Sequence, residues 1–260
     1  MAGLRLLTVS RSSGNQNARY KLINSRHMTE PIKYYGTYAD DFGTTDICII
    51  NDFKNLFLEI NGVQFKGREF SDLAIINKHI YSDRQLERFT LIKTAIYNTD
   101  LIEETLCSCI FKVIVPQLII DKEKCCELYS DLEIEYSLGD IRPMPTGGLE
   151  FEKVKISLVL DEKIYTGVSD FIEIAFDQIR NQFQGKYHFK NCYGCMFGDY
   201  SVFGQSSFGA MLCFVNQKDK YKEIATKSEY MKLAPADKQV QEIYLCNRYK
   251  IRKNGIGYRG

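Results

Sequence analysis

The sequence contains no tryptophan, only three histidines and five prolines, and its 34 basic and 33 acidic residues leave a formal net charge of +1. That balance excludes a chain-wide polycationic surface for nucleic acid, and it excludes a polyacidic, disordered chain. No uninterrupted apolar run approaches the roughly 18–20 residues that a membrane-spanning helix requires. The apolar piece Leu4, Leu6, Leu7, Val9 is too short for a secretory core and has no small-residue cleavage site behind it. Two nucleotide and hydrolase signatures are missing as well. No Gly-Lys-Ser/Thr closes a phosphate-cradling loop, and no Gly-x-Ser-x-Gly forms a nucleophile elbow.

What is present is material for a core. Hydrophobic residues make up 45% and aromatics 13% of 260 residues, enough for one large domain or two small ones. Nine cysteines is a high and odd count. Without an export signal, reduced thiols or metal ligands are the better expectation than a disulfide framework, and the expected compartment is the cytoplasm. Residues 1–29 read as a disordered leader or a cloning-derived segment, with Met28 a candidate native start.

From residue 30 to 168 the pattern is β. Leu56, Leu58 and Ile60 alternate with other residues, Asn61-Gly62 follows, and Val63 and Phe65 resume the alternation. This is the pattern of a type I′ hairpin, whose two central residues must tolerate positive φ. Ile47 to Ile50 and the Asn51-Asp52 turn extend it into a meander. Leu106 to Val115 reads as a strand buried on both faces and closed by Pro116. Leu132, Ile134 and Tyr136 alternate with Glu133, Glu135 and Ser137; Val154 to Leu160 repeats the pattern, and Asp161-Glu162-Lys163 turns the chain back. Such alternation implies antiparallel sheet with one wet face.

After residue 169 the period changes. Ile172, Ala175, Phe176, Ile179 and Phe183 share a helical face, with Gly185 at a C′ position. A second helix is expected from Lys218 to Met231, capped by Asn216, and a last strand over Val240–Cys246. The expected fold is thus α+β: an antiparallel β-sandwich over 30–168, followed by a two-helix, cysteine-rich region over 169–260, packed as one unit.

Cys192-Tyr193-Gly194-Cys195 is the most informative constellation. A C-x-x-C turn lets two thiolates converge on one ion, and Cys213 and Cys246 would complete a tetrahedral structural zinc site. The alternative stays open, since free cysteine is among the most buried residue types and two well-separated cysteines are a weak second pair. The stretch Gly198 to Gly209 carries Asp199, Tyr200, Ser201, Phe203, Gly204 and Phe208, an irregular loop of the kind that binds ligands or partners. A turn-rich connection that packs its phenylalanines inward explains the same residues. His188, four residues before Cys192, is the nearest candidate base. An enzyme, of the hydrolase class, would have to use His188 with the Asp199-Tyr200-Ser201 loop. Arg248, Lys250, Arg252, Lys253 and Arg259 read as a solvated basic face more than a nucleic-acid site.

The stretches Asn191–Gly204, Phe208–Phe214, Tyr244–Cys246 and the ending Gly257-Tyr258-Arg259-Gly260 together resemble an uncharacterised bacterial family of unknown function. Its pattern is a C-x-x-C, an Asp-Tyr-Ser loop, a Cys-Phe strand and a Gly-Tyr-Arg-Gly end. The resemblance covers about the last 75 residues well and the β region loosely, through Gly36-Thr37-Tyr38 and Phe65-Lys66-Gly67. It implies that Cys192, Cys195, Cys213 and Cys246 belong together, and it brings no activity with it. The functional expectation is a non-enzymatic cytoplasmic protein that recognises another protein, an immunity or defence-type accessory, with Tyr200, Phe203, Gly204 and Phe208 as the binding loop.

Overall fold

A computed structural model of the chain describes residues 31–95, 102–202, 208–253 and 255–259. The leader expected over 1–29 lies outside the described residues.

The described residues open with four strands in two hairpins: β1 (Ile32–Asp40), β2 (Gly43–Asn51), β3 (Leu56–Ile60) and β4 (Val63–Gly67). The Asn61 and Gly62 φ angles of 51° and 81° are those of the expected type I′ turn. A short β5 (Ala74–Ile75), a helical turn α1 (Asp83–Leu86) and the hairpin strands β6 (Leu91–Ala95) and β7 (Ile102–Leu106) follow. Two strands of 13 residues, β8 (Cys109–Asp121) and β9 (Cys126–Leu138), lead to the hairpin of β10 (Glu152–Leu160) and β11 (Lys163–Ser169). Helix α2 (Ile172–Gln182) crosses to β12 (Tyr187–Phe189). Beyond it come β13 (Gly198–Asp199), β14 (Met211–Cys213), α3 (Lys218–Lys222), α4 (Lys227–Lys232) and β15 (Lys238–Val240).

The α+β sandwich with a two-helix C-terminal region is not what forms. The protein is predominantly β, and among the described residues twelve strands join in one sheet, ordered β11-β10-β9-β8-β1-β2-β3-β4-β5-β7-β6, with β12 also paired to β8. Alternation reports that a strand has one buried face, but not which strand lies beside it. Here β8 settles the matter. It pairs with β9 along its whole length and with β1 from Ile110 to Ile114, so the halves that a sandwich would separate share one hydrogen-bonded frame.

Leu106 and Val115 also belong to different strands. Leu106 ends β7, Cys107 and Ser108 turn the chain, and β8 runs on through Pro116. It has one buried face, not two. Pro116 falls between Ile114, the last partner of β1, and Ile119, the first partner of β12, where β8 is locally an edge on that side. Proline is tolerated in a sheet at such a position because it has no N–H to donate.

The second expected helix is two. Thr226 has an extended backbone (φ −125°, ψ 154°), its side chain accepts from Glu229 N, and the Glu229 carboxylate accepts from Thr226 N. This capping box at Thr226-x-x-Glu229 restarts the helix instead of continuing it. The last strand spans only Lys238–Val240, and residues 241–246 are irregular.

The inward side chains of β1–β4 and β7–β11 and one face of α2 form a single buried cluster. A smaller cluster of Cys195, Met196, Phe197, Phe214, Tyr221 and Tyr230 supports the C-terminal region. There Phe214 and Tyr221 stack at 5.1 Å with 3° between their planes. This second core carries the residues singled out by sequence.

Candidate functional site

The C-x-x-C turn is built from its backbone outward. Cys195 N donates to Cys192 O at 3.2 Å, and Gly194 N to Asn191 Oδ1 at 3.1 Å. Any Cβ at Gly194 would lie 2.0 Å from Phe189 O, so the turn can approach β12 only with glycine there. Asn191 is fully buried and donates to Gln117 Oε1 at 2.7 Å, which ties the turn to the main sheet.

The other two cysteines arrive on separate segments. Cys213 sits opposite Gly198 in the β13–β14 register, and Cys192 N donates to Tyr244 O, two residues before Cys246. Cys192 lies within electrostatic range of Cys195, Cys246 and Cys213. Backbone amides point at three of the sulfurs: Phe197 and Lys250 at Cys195, Val215 at Cys213, and Arg248 at Cys246. In each case one donor is the residue two positions after the cysteine. Burial pushes the Cys192, Cys195 and Cys213 thiols above the ordinary thiol range, and the amides on Cys195 and Cys213 work against that rise. Among the described residues, no three His, Cys, Asp or Glu side chains are gathered closely enough to hold a metal ion. The four thiols are neighbours without having closed on a common point. All nine cysteines are free thiols.

Asp199 is almost fully buried and its carboxylate is occupied. Tyr221 OH donates to Oδ2 at 2.5 Å, and Tyr200 N to Oδ1 at 2.8 Å. Burial raises its pKa in spite of these donors. Tyr200 is 4% exposed and donates to Glu242 Oε1 at 3.1 Å, while Gly209 N donates to Glu242 Oε2 at 2.8 Å. Glu242 is fully buried, and burial pushes it up to about 7. Phe208, 3% exposed, packs on Phe70 in the main core. Phe203 and Gly204 lie outside the described residues. Ser201 is half-buried beside Tyr200.

His188 takes a different direction. It lies on β12 and lines a cavity of about 400 Å³ together with Phe189, Tyr193, Arg180, Arg252 and Arg259. Burial first, and then the positive charges of Lys122 and Arg180, hold its imidazole down to about 4. The structure thus pairs Asp199 with Tyr221 and Tyr200, and His188 with a wall of arginines.

Sequence reasoning missed those arginines and Glu242. Arg259 is not a solvated residue. Its side chain is 7% exposed, it lies 4.3 Å from the Tyr193 ring centroid and 5.2 Å from that of Tyr200, and Nη1 donates to Tyr193 O. Glu173 and Asp177 of α2 flank it at 3.8 and 3.6 Å. Arg252 donates through Nη2 to the carbonyls of Cys195 and Gly198. The available signal was the Gly-Tyr-Arg-Gly ending, a patterned segment among ordinary surface basics.

The family described as "Family of unknown function (DUF6304)" matches residues 32–198. That match spans the large sheet, α2 and the C-x-x-C, and it stops before Cys213, Cys246 and the patterned ending. No curated protein and no solved structure matches the chain. Among the described residues no helix is long and apolar enough to cross a membrane.

Proposed function

The chain belongs to the family of unknown function DUF6304, and from that starting point we propose that it is a binding protein, not an enzyme, whose C-terminal region is stapled by a structural zinc ion on Cys192, Cys195, Cys213 and Cys246. The observation that carries the zinc reading is the set of backbone amides directed at three of the four sulfurs. Amides two residues past a cysteine stabilise thiolate, the form that binds zinc. Closing the side chains on an ion fixes at most about 2 kcal/mol of rotamer freedom each, against binding energies on the order of 10 kcal/mol for structural zinc. The buried carboxylates support the non-enzymatic half of the proposal. Asp199 and Glu242 each hold a tyrosine and a backbone amide, which is a framework role.

The partner we propose is another protein, met on the outer face of the sheet. Tyr35, Ile50 and Ile110 are exposed on that face, spread along it by the β1–β2 and β1–β8 registers: Ile50 lies opposite Lys33, Tyr35 opposite Ile114, and Ile110 opposite Ala39. On the β8–β9 side, Lys112, Glu133 and Glu135 add charge of both signs. Apolar anchors inside a polar rim fit a protein surface better than a small molecule.

Elemental analysis of purified protein beside a Cys195→Ser variant tests the staple. About one zinc per chain, absent from a destabilised variant, is expected. Metal-free wild type together with a variant of unchanged stability would overturn the reading and leave the cysteines as core residues.

A further inference from the structure

Among the described residues, the cavity beside His188 is lined by three arginines and by no acidic side chain. Their charges are unequally answered. Arg180 pairs with Asp177 at 3.1 Å, and Arg259 stands between Glu173 and Asp177 at distances too long for hydrogen bonds. Arg252 has no salt bridge among the described residues, although the Asp199 carboxylate and the Tyr221 hydroxyl lie within its electrostatic reach, and its Nε and Nη1 are buried without a hydrogen-bond acceptor. Nε and Nη2 of Arg259 are in the same condition. A buried donor on a charged group that lacks an acceptor is costly, so native structures rarely leave several together.

We propose that this cavity is a binding site for a small oxyanion, a phosphate- or sulfate-bearing molecule, with Arg252 as the central donor and Arg180 and Arg259 completing the positive wall. An oxyanion brings the acceptors that the guanidiniums lack, and planar guanidiniums suit it better than ammonium groups would. The volume, about 400 Å³, is that of a small-molecule site and leaves room beyond the anion itself. Phe189 and Tyr193 border the cavity, the Tyr193 ring lying under Arg259. His188 serves as a built-in reporter. Its imidazole is kept neutral by burial and by the positive charges of Lys122 and Arg180, so a bound anion raises its pKa. The site shares Tyr193 and Gly194 with the C-x-x-C turn, but none of its proposed donors is a cysteine.

The test uses the full chain, with chloride, sulfate, inorganic phosphate and phenyl phosphate compared at equal ionic strength. Thermal stability gives one readout and the NMR titration of the His188 ring another. Sulfate should move the His188 midpoint upward from about 4, which a general salting-out effect on stability does not do. Arg180 is partly exposed on α2, so Arg180→Gln should fold and should weaken sulfate binding about tenfold, the loss of one charge-assisted contact. Tighter binding of phenyl phosphate than of phosphate marks an aromatic phosphomonoester as the ligand class, and equal binding marks the free oxyanion. An unmoved His188 in sulfate, or an Arg180→Gln variant that binds as wild type does, would overturn the proposal.

Discussion

Gln178 lies alongside Val168 with both ends of its side-chain amide bonded to that residue's backbone. Val168 N donates to Oε1 at 2.8 Å, and Nε2 donates to Val168 O at 3.0 Å. One helical turn later Gln182 repeats the contact on Thr166. Four helical residues rise about 6 Å and two strand residues nearly 7 Å, so the spacing of the glutamines matches the open groups of the strand. The two amides stand where a further strand would pair with β11, at one end of the sheet. Unprotected edges invite pairing between chains.

The double variant Gln178→Ala/Gln182→Ala should therefore lose little stability, under about 1 kcal/mol per residue, because water replaces both exposed amides. It should gain self-association instead. Sedimentation velocity over a concentration series is expected to show wild type unchanged and the variant forming larger species. A variant as monodisperse as wild type would show that β11 needs no cover.

Asp161 organises the opposite hairpin end of the same strands. In the β10–β11 turn it accepts from Tyr187 OH at 2.6 Å and from Lys124 and Lys186 at 3.2 Å. The tyrosine hydrogen bond first, and then the two lysines, hold its carboxyl down to about 2. A carboxyl with a depressed folded pKa adds stability above its unfolded value, near 4, and loses that contribution as pH falls through about 2. Asp161→Asn keeps a residue suited to the positive φ of this turn. The gap in stability between wild type and variant should be constant above about pH 5 and close below about pH 2, as followed by circular dichroism in acid. A gap independent of pH would remove the charge from the account.

The two hairpin turns were legible because turn chemistry is local, Asn61-Gly62 as a type I′ turn and Asp161-Glu162-Lys163 only as a reversal of the chain. Asn61-Gly62 and Asp161-Glu162 carry their positive φ values where the sequence pattern places them. The number of sheets was not legible, since that depends on β8 meeting β1 some seventy residues earlier, and alternation is silent on partners. The break between α3 and α4 was written in Thr226-x-x-Glu229, but it was hidden by the helical spacing of Tyr221, Ile224, Ala225 and Met231. In the site, the cysteines were visible as a spacing. The burial of Arg252 and Arg259 was not, because their partners come from α2, β13 and the C-x-x-C turn. A basic residue looks solvated until its distant carboxylates and carbonyls are known.

Arg259 should be worth more than any exposed arginine. It is buried between Tyr193 and Tyr200 and flanked by Glu173 and Asp177. Removing one member of a buried charged cluster leaves the others uncompensated, typically at a cost of about 3–5 kcal/mol. Arg259→Ala is expected to lower the urea midpoint accordingly. Arg259→Lys, which keeps the charge but loses the planar stack and the fork, should recover only part of it. Full recovery by lysine would reduce the aromatic contacts to bystanders.

Glu242 gives the stability of this region an unusual pH dependence. Its carboxyl is buried, and burial raises it from an unfolded value of 4.5 to about 7, against the donors Gly209 N and Tyr200 OH. Here the folded chain binds the proton more tightly than the unfolded one. Stability is therefore highest below the unfolded value and declines as pH climbs toward and past 7, the reverse of a salt-bridged carboxylate. Glu242→Gln is permanently neutral and keeps one acceptor for the pair of donors. It should be less stable than wild type at pH 5, where the protonated acid already avoids the cost of a buried charge. Between pH 5 and pH 8 the balance should move by about 2 kcal/mol toward the variant. Denaturant midpoints at both values decide it: parallel curves for the two proteins would mean that Glu242 titrates as an ordinary glutamate and that the region is more hydrated than its packing implies.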